Sequence, residues 1–503
     1  MMVAKHQSHF ISLSSLLDGI VSIPAEYNVE IKNLVLDSRQ VKPGDVFIAI
    51  NGDGVNGFDY IESAISSGAI AVIWDAKVEA VPFAWSEFNN KVPLIAIQNL
   101  RQHLGQFANH VYNTPSEKLN IVAVTGTNGK TSCVNFIAQA LGEGDETPCG
   151  LIGTLGTGIY PNIAVGTHTT PDVLTVHKTL AQFVAGNAKH AAIEVSSHAL
   201  AQNRVDGVQI DVAIFTNLTQ DHLDYHGTMD AYLEEKAKLF KNTNLKTAIV
   251  NINDSHGIDI IKAAKGKNII TYGFYQDINT PDVYASDVQY YADRTEFVLN
   301  INQGSVLISS SLVGDFNVSN VLAVCAYLQV QGFSLTEIAD KIKNIIPVAG
   351  RMQKIKVDGM PLVIVDYAHT PDALEHVLKT LSMQFDNHLT CVFGCGGERD
   401  SDKRQLMGKV ADTYANSIVI TNDNPRNESA NNIVKQIEQG VHNKDKIIVE
   451  LDRKKAISKA IEKTNNKGCV LVAGKGHENY QIIGENKFEF NDVAIVKELL
   501  SRD

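Results

Sequence analysis

The stretch Thr125-Gly126-Thr127-Asn128-Gly129-Lys130-Thr131 combines two glycines, a lysine and several hydroxyls in seven residues. The apolar run Ile121–Val124 before it reads as a buried strand. Val134, Ile137, Ala138 and Leu141 continue it with helical spacing. A strand, a glycine-bearing loop and a helix N-terminus form a cradle for phosphate, because backbone N–H groups and the positive end of the helix dipole face the anion. Lys130 is then placed to reach the terminal phosphates, and the Thr131 hydroxyl to bind Mg²⁺. Val124 stands where the general phosphate-loop pattern has its first glycine.

Other chemistry-bearing residues cluster after apolar runs. Glu194 leads into Val-Ser-Ser-His, and His222 ends Thr216-Asn217-Leu218-Thr219-Gln220-Asp221-His222. Hard oxygen donors such as Glu194 and Thr131 suit Mg²⁺, while an imidazole is less usual and points to Mn²⁺ tolerance. His226, one turn further on, reads as structural. Towards the C-terminus, Asp423-Asn424-Pro425-Arg426 follows an apolar strand, Arg399 sits in Gly-Gly-Glu-Arg-Asp, and Glu478 ends Gly474-Lys475-Gly476-His477-Glu478. An arginine can grip a carboxylate through two parallel hydrogen bonds, and a glutamate can hold an ammonium group. Together these residues describe a pocket for a zwitterion.

These residues need a scaffold of strands ending on a common edge. Apolar runs at Ala191–Val195, Val212–Phe215, Thr247–Val250 and Ile269–Tyr272 alternate with helical patterns, the mark of a parallel sheet covered on both faces. A β-rich interlude spans 283–313, and Gly314-Asp315-Phe316-Asn317 opens a helix. The last part repeats the α/β theme, with strands at Leu362–Asp366, Leu389–Phe393, Ser417–Thr421 and Cys469–Val472. In open α/β sheets ligands bind beyond the strands' carboxyl ends, so four such loops put the chemistry on one edge. Ahead of the phosphate loop lie a strand at Val46–Ile50, a turn-rich loop over 51–57, a helix pattern at Phe58–Ser67, a strand at Ala69–Trp74 and a linker at Val111–Lys118.

At 503 residues the chain exceeds one core, and three domains are expected, at 1–113, 114–346 and 347–503. A net charge of −12 argues against a general nucleic-acid binder. Six scattered cysteines show no CxxC pair or zinc spacing, as expected of a reduced, cytoplasmic protein. Phe10–Leu17 is a poor signal peptide, and no run approaches the 18 apolar residues that suggest a membrane span. A monomer is the default expectation.

Together the motifs resemble the Mur ligases, ATP-dependent amide-forming enzymes of peptidoglycan precursor synthesis. The likeness covers essentially the whole chain: the Thr125–Thr131 loop, Glu194-Val195-Ser196-Ser197-His198, the block Asn217…Asp221-His222-Leu223-Asp224-Tyr225-His226-Gly227, and Asp366-Tyr367-Ala368-His369-Thr370-Pro371. It implies a small α/β UDP-binding domain, a central phosphate-loop ATPase domain and a C-terminal Rossmann-like domain that binds an amino acid. Within the family it points to the branch that adds the third peptide residue to UDP-N-acetylmuramoyl-L-Ala-D-Glu. Asp423-Asn424-Pro425-Arg426 resembles the form that takes meso-diaminopimelate, and a second carboxylate on that amino acid calls for a bidentate cation.

The resemblance also assigns roles. Gly126, Thr127, Asn128, Gly129, Lys130 and Thr131 hold the ATP phosphates, with Asn317, Arg351 and Asp366 near the nucleotide. Thr131 and Glu194 bind one Mg²⁺, and His222 a second. Leu36, Ser38 and the Asp53-Gly54-Val55 loop receive the uridine end; Thr169, Thr170, Ser196, Gln202 and Arg204 hold the muramoyl dipeptide. His168, before those threonines, is given no ligand role. Arg399, Asp423, Asn424, Pro425, Arg426, Gly474 and Glu478 bind diaminopimelate. Lys236, by pattern a surface lysine on an amphipathic helix, falls where the family carries a metal-binding lysine carbamylated by CO₂. The reaction so implied passes through an acyl phosphate, with domain closure bringing the amino-acid pocket onto it. A lysine-adding ligase, a folylpolyglutamate-synthetase-like ligase and a non-catalytic nucleotide switch are the rival readings.

Overall fold

The computed structural model describes residues 11–52, 55–76, 92–142, 148–166, 168–291, 294–385 and 388–501. By its contacts the chain divides into two compact units, the first comprising Met1–Val124, Leu141–Ala213 and Asn242–Lys246 and the second the remainder.

The first unit contains a four-stranded parallel sheet in the order Asn33–Val35, Asp45–Ala49, Ala71–Ala76, Leu94–Gln98. Val46 and Ile48 join one apolar cluster with Leu104, Phe107 and Ala108 of the helix Leu104–Val111. Phe47 and Ala49 join another with Ile61 and Ala64 of the helix Ile61–Ser66. A strand buried on both faces reads as an unbroken apolar run, which is why it is legible in sequence. Residues 51–57, expected to be a loop, hold a small antiparallel hairpin, with Asn51–Gly52 paired to Val55–Asn56. The segment read as a linker is seated rather than extended: Pro115–Lys118 forms a 3₁₀ turn, and the buried Ser116 accepts a hydrogen bond from the Gln209 amide. In the same unit Cys149–Gly153, His190–Glu194 and Asn120–Thr125 run parallel, and a hairpin of Gly156–Ile159 and Asn162–Ala164 extends one edge.

In the second unit Thr247–Asn251, Asn268–Phe274 and Val283–Tyr290 are parallel, and Thr295–Ile301 and Gly304–Ser310 add antiparallel strands. The helix Asp315–Val330 is apolar on all sides and almost wholly buried, as a core helix should be. A second sheet has the order Gln353–Ile355, Leu362–Asp366, Cys469–Ala473, Leu389–Phe393, Ser417–Ile420, Ile447–Val449, antiparallel only at its first pair. Ile364, Phe393, Ile418 and Leu471 lie under the helices Pro371–Ser382, Asp402–Tyr414 and Ala430–Gln439. Val365, Val392, Val419 and Val472 lie under Arg453–Lys463 and Asp492–Leu500. This doubly wound arrangement puts the loops after residues 366, 393, 420 and 473 on one edge.

Candidate active site

The phosphate loop folds as its glycines demand. Gly126 has φ +148° and Gly129 φ +88°, and a Cβ there would lie 1.9 Å from Thr216 Oγ1 and 2.5 Å from Asn320 Oδ1 respectively. The Thr216 hydroxyl donates to the Asn128 carbonyl at 2.6 Å, and the amides of Thr127 and Asn128 donate to the backbone and side-chain oxygens of Asn217. Lys130 opens the helix Lys130–Gly142 and folds back, its ammonium donating to the carbonyls of Gly126 and Thr127 at 2.8 Å each.

Lys236 is not the surface lysine that the pattern of its helix predicts. On Met229–Lys241 it is 1% exposed, donates to the same Gly126 carbonyl at 2.8 Å, and lies 4.3 Å from the centre of the Tyr232 ring. Burial, and then the Lys130 charge, push its pKa well below the usual lysine range. Two amines converge on one carbonyl, a place that suits bound anions.

Beside them, His222 takes a left-handed conformation, with Nε2 3.3 Å from Asp221 Oδ2. His369 Nε2 lies 3.9 Å from the same oxygen. Burial alone would raise the Asp221 carboxyl, but the charges of His222, His369, Lys403 and Lys130 hold it below its ordinary value. His226 stacks on Tyr232, a packing role in keeping with its sequence reading.

A cavity of ≈ 260 Å³ adjoins the loop, lined by Asn128, Gly129, Arg351 and Asp366 among others. Arg351 donates to Thr131 Oγ1 at 3.2 Å and lies over the Tyr367 ring. Asp366 accepts the amides of Met352 and Ala368; burial raises its pKa, against the opposing pull of Arg351. Asn317 does not line this cavity: its side-chain amide donates to the carbonyl of Val313, just before the helix, and Asn320, three residues on, lines the cavity instead. Asn251, Phe274, Asp372 and His376 also line it, and Asn128 donates to Asp372 at 3.0 Å. Of these only Asp372, beside the Asp366–Pro371 motif, had a sequence signal.

On the second sheet's edge the expected amino-acid residues come together. Arg426, at φ +53°, donates to the Gly397 carbonyl at 2.7 Å. Gly397 is forced, since a Cβ would sit 2.0 Å from the Pro425 carbonyl oxygen. A Cβ at Gly396 would lie 3.1 Å from Arg426 Nη1 and 3.6 Å from Arg399 Cγ, so both arginines pass this glycine. Gly474, at φ +111°, leaves room for Asp423 Oδ2, 2.7 Å from where its Cβ would be. Glu478 accepts from Asn424 at 3.0 Å and from the buried ammonium of Lys475 at 2.8 Å. The expected ammonium-holding glutamate therefore already carries one cation, in a role for Lys475 that sequence reasoning missed. It also missed the hairpin Tyr480–Ile483 and Asn486–Glu489, whose Ile482 carbonyl accepts from the Arg426 amide and whose Gln481 donates to the Asp423 carbonyl.

The first unit holds a cavity of ≈ 180 Å³ lined by Leu36, Gln202 and Arg204 together with Ile50, Arg101, Leu104, His168, Asp172, Val173 and Asn203. His168, given no role from sequence, is thus at the site, and Arg101 is a lone arginine that no motif announced. Arg204 donates to the Gln202 side chain and, at 2.6 Å, to the Thr170 carbonyl. Thr170 donates to the Glu194 carbonyl, Thr154 donates to Thr169, and Ser196 caps the helix Ser197–Ala201. The Glu194 carboxylate, fully buried, accepts the Thr154 amide and hydroxyl. Ser38 is buried in a 3₁₀ turn and does not line the cavity. Asp53 and Gly54 lie outside the described residues, as does the side chain of Val55.

Three family models match successive stretches of the chain. A model of the Mur ligase family catalytic domain matches residues 30–112, the Mur ligase middle domain 124–328, and the Mur ligase glutamate ligase domain 350–476. UDP-N-acetylmuramoyl-L-alanyl-D-glutamate–2,6-diaminopimelate ligases are similar over nearly the whole length. That of Xanthomonas campestris pv. campestris (strain 8004) is 42% identical over 495 residues, covering 98% of each chain. That of Chromobacterium violaceum is 42% identical over 496 residues, covering 97% of this chain and 98% of its own. A solved structure of a ligase of that name has a TM-score of 0.70 at 36% identity, covering 98% and 99%. The Mycobacterium tuberculosis folylpolyglutamate synthase, at 16% identity and TM-score 0.63, shares the fold. Fold and comparisons define a three-domain α/β ligase that uses ATP. The chain belongs to the Mur ligase family.

Proposed function

We propose that this protein joins meso-diaminopimelate to the D-Glu γ-carboxyl of UDP-N-acetylmuramoyl-L-Ala-D-Glu in the cytoplasm, where its nucleotide substrates are found. The observation that carries this reading is that Arg426 and Arg399 both pass Gly396, and a second carboxylate on the amino acid calls for such cations. Relatives that share 42% of the sequence bear the corresponding name.

A carboxylate oxygen of the D-Glu side chain attacks the γ-phosphorus of ATP, and ADP leaves. The neutral amine of diaminopimelate attacks the acyl carbon, and the tetrahedral intermediate loses phosphate and a proton to give the amide. Lys130 supports the first step by matching the charge on the transferring phosphoryl group, with loop amides from Gly126 to Thr131 around it. Arg351 and Asp366 bound the nucleotide cavity. Leu36, Gln202, Arg204 and His168 line the pocket assigned to the UDP-sugar peptide.

Thr131, Glu194 and His222 are the residues that the family resemblance assigns to Mg²⁺, an ion that prefers oxygen donors and completes its shell with phosphate oxygens and water. Bound there, Mg²⁺ would neutralise charge on the transferring phosphoryl group. Lys236 does not fit such a site as an ammonium, which would repel a dication. Its buried amine, held towards the neutral form that reacts with CO₂, fits it as a carbamate.

The test is ADP release with Mg-ATP and UDP-N-acetylmuramoyl-L-Ala-D-Glu, adding meso-diaminopimelate or L-lysine in parallel. Turnover with diaminopimelate alone is expected. Turnover with lysine alone would keep the ligase and discard the reading of Arg426. Silence with both would reopen the folate-like and non-catalytic readings.

A further inference from the structure

Beneath the amino-acid pocket lies an ion pair that no step above uses. Arg453 and Asp492 are each the first residue of a helix, and both side chains are fully buried. Their contact is bidentate: Arg453 Nε donates to Asp492 Oδ1 at 2.8 Å, and Nη2 to Oδ2 at 2.7 Å. Two further donors go to backbone carbonyls, Nη2 to Ala473 at 2.9 Å and Nη1 to Asn422 at 3.3 Å. Ala473 ends the strand before Gly474, and Asn422 immediately precedes Asp423. The guanidinium is also within electrostatic reach of Asp423 and Glu478.

Stability alone does not account for this pair. Desolvating two charges is so unfavourable that well-packed apolar residues of similar size often serve as well or better. The helix dipoles give no net gain, because the Arg453 cation opposes the dipole at its helix start while the Asp492 anion complements the other. What the apolar substitute cannot do is hold two carbonyls from different strands at a fixed separation.

We propose that Arg453–Asp492 is a positioning pair for the amino-acid pocket, fixing the Asp423–Arg426 loop against the Gly474–Glu478 loop through the carbonyls of Asn422 and Ala473. The identity of the amino acid rests on the function proposed above; the coupling of the two loops does not. With Gly474 and Asp423 already at the limit of close approach, a small drift between these strands displaces the groups that must meet both ends of a zwitterion.

The experiment replaces the pair by apolar residues, R453M/D492L, and reads KM for each substrate together with hydrogen exchange of the substrate-free protein. The double variant is expected to fold, to raise KM for diaminopimelate about tenfold or more, and to leave KM for ATP within about twofold. Amides of 423–428 and 474–478 should exchange faster, with the phosphate-loop helix unchanged. If the double variant does not fold, R453K is read in the same way; lysine keeps the charge but cannot span the carboxylate and both carbonyls. A folded variant with parental KM for diaminopimelate and parental exchange overturns the proposal, as does an equal rise in KM for all three substrates. A parent that ignores diaminopimelate, in which the variant still loosens these two loops selectively, overturns the proposed substrate and supports the positioning pair.

Discussion

Replacing Lys236 by methionine removes a charge from the core while keeping most of its stem. In the folded protein Lys236 and Lys130 each donate to the Gly126 carbonyl at 2.8 Å, so their nitrogens lie within about 6 Å, and two ammoniums at that distance repel by about 3 kcal/mol at an effective dielectric of about 20. Relief of desolvation adds to the gain, because Lys236 is 1% exposed. Against it stand the lost hydrogen bond to Gly126, about 1.5–3 kcal/mol for a charged donor, and the cation–π contact with Tyr232, about 1–2 kcal/mol. Repulsion and the lost contacts are of similar size, so the relief of desolvation decides the sign and makes the variant the more stable form at neutral pH in CO₂-free buffer.

The pH dependence follows from the lowered pKa. In that state the folded protein binds fewer protons than the unfolded chain between the lowered folded value and the ordinary lysine value of 10.5. The penalty is therefore fully present below this window and fades as pH rises through it, so parent and variant should converge towards high pH. Bicarbonate should also close the gap, because a carbamate beside Lys130 turns repulsion into attraction. Denaturant unfolding across pH, with and without bicarbonate, measures both effects, and ¹³C NMR with labelled CO₂ detects the adduct. Ligase activity of the variant should fall about 100-fold or more, the scale of losing a preorganised charge at a transferring group. A variant no more stable than the parent at pH 7, with a gap that ignores pH, would refute the buried-cation argument.

Arg426→Ala removes a charge-assisted grip worth about 1.5–3 kcal/mol, so KM for diaminopimelate should rise about 10- to 100-fold while KM for ATP stays put. Steady-state kinetics with each substrate varied checks this, and equal losses in both would count against the assignment. Gly129→Ala forces a Cβ to 2.5 Å from Asn320 Oδ1 at φ +88°, and nucleotide binding by calorimetry should weaken at least about tenfold, with lowered thermal stability.

Much of the scaffold is written locally. Strands such as Leu362–Asp366 and Leu389–Phe393 fall where the apolar runs place them, because a parallel strand buried on both faces leaves no polar position to blur the pattern. The phosphate loop is equally plain, since only glycine fits at Gly126 and Gly129. The hairpin at 480–489 escaped notice because Asn486–Glu489 is exposed throughout and carries no apolar alternation.

What the sequence determined by itself is the set of chemical groups and the strand ends that bear them: Lys130 at its helix start, the Asp423–Arg426 and Gly474–Glu478 loops, and Leu36, Gln202 and Arg204 of the first-unit pocket. Tertiary structure alone decided which groups share an environment. Periodicity places Lys236 on a polar helix face, and only the fold shows that this face meets the phosphate loop and loses its water. Only the fold shows Lys475 neutralising Glu478, Asn320 rather than Asn317 lining the cavity beside the phosphate loop, and Arg453 and Asp492 meeting beneath two loops. The physical reason is the same in each case: charge and hydrogen bonding act through space over a few ångströms, and distance in space is not encoded by spacing along the chain.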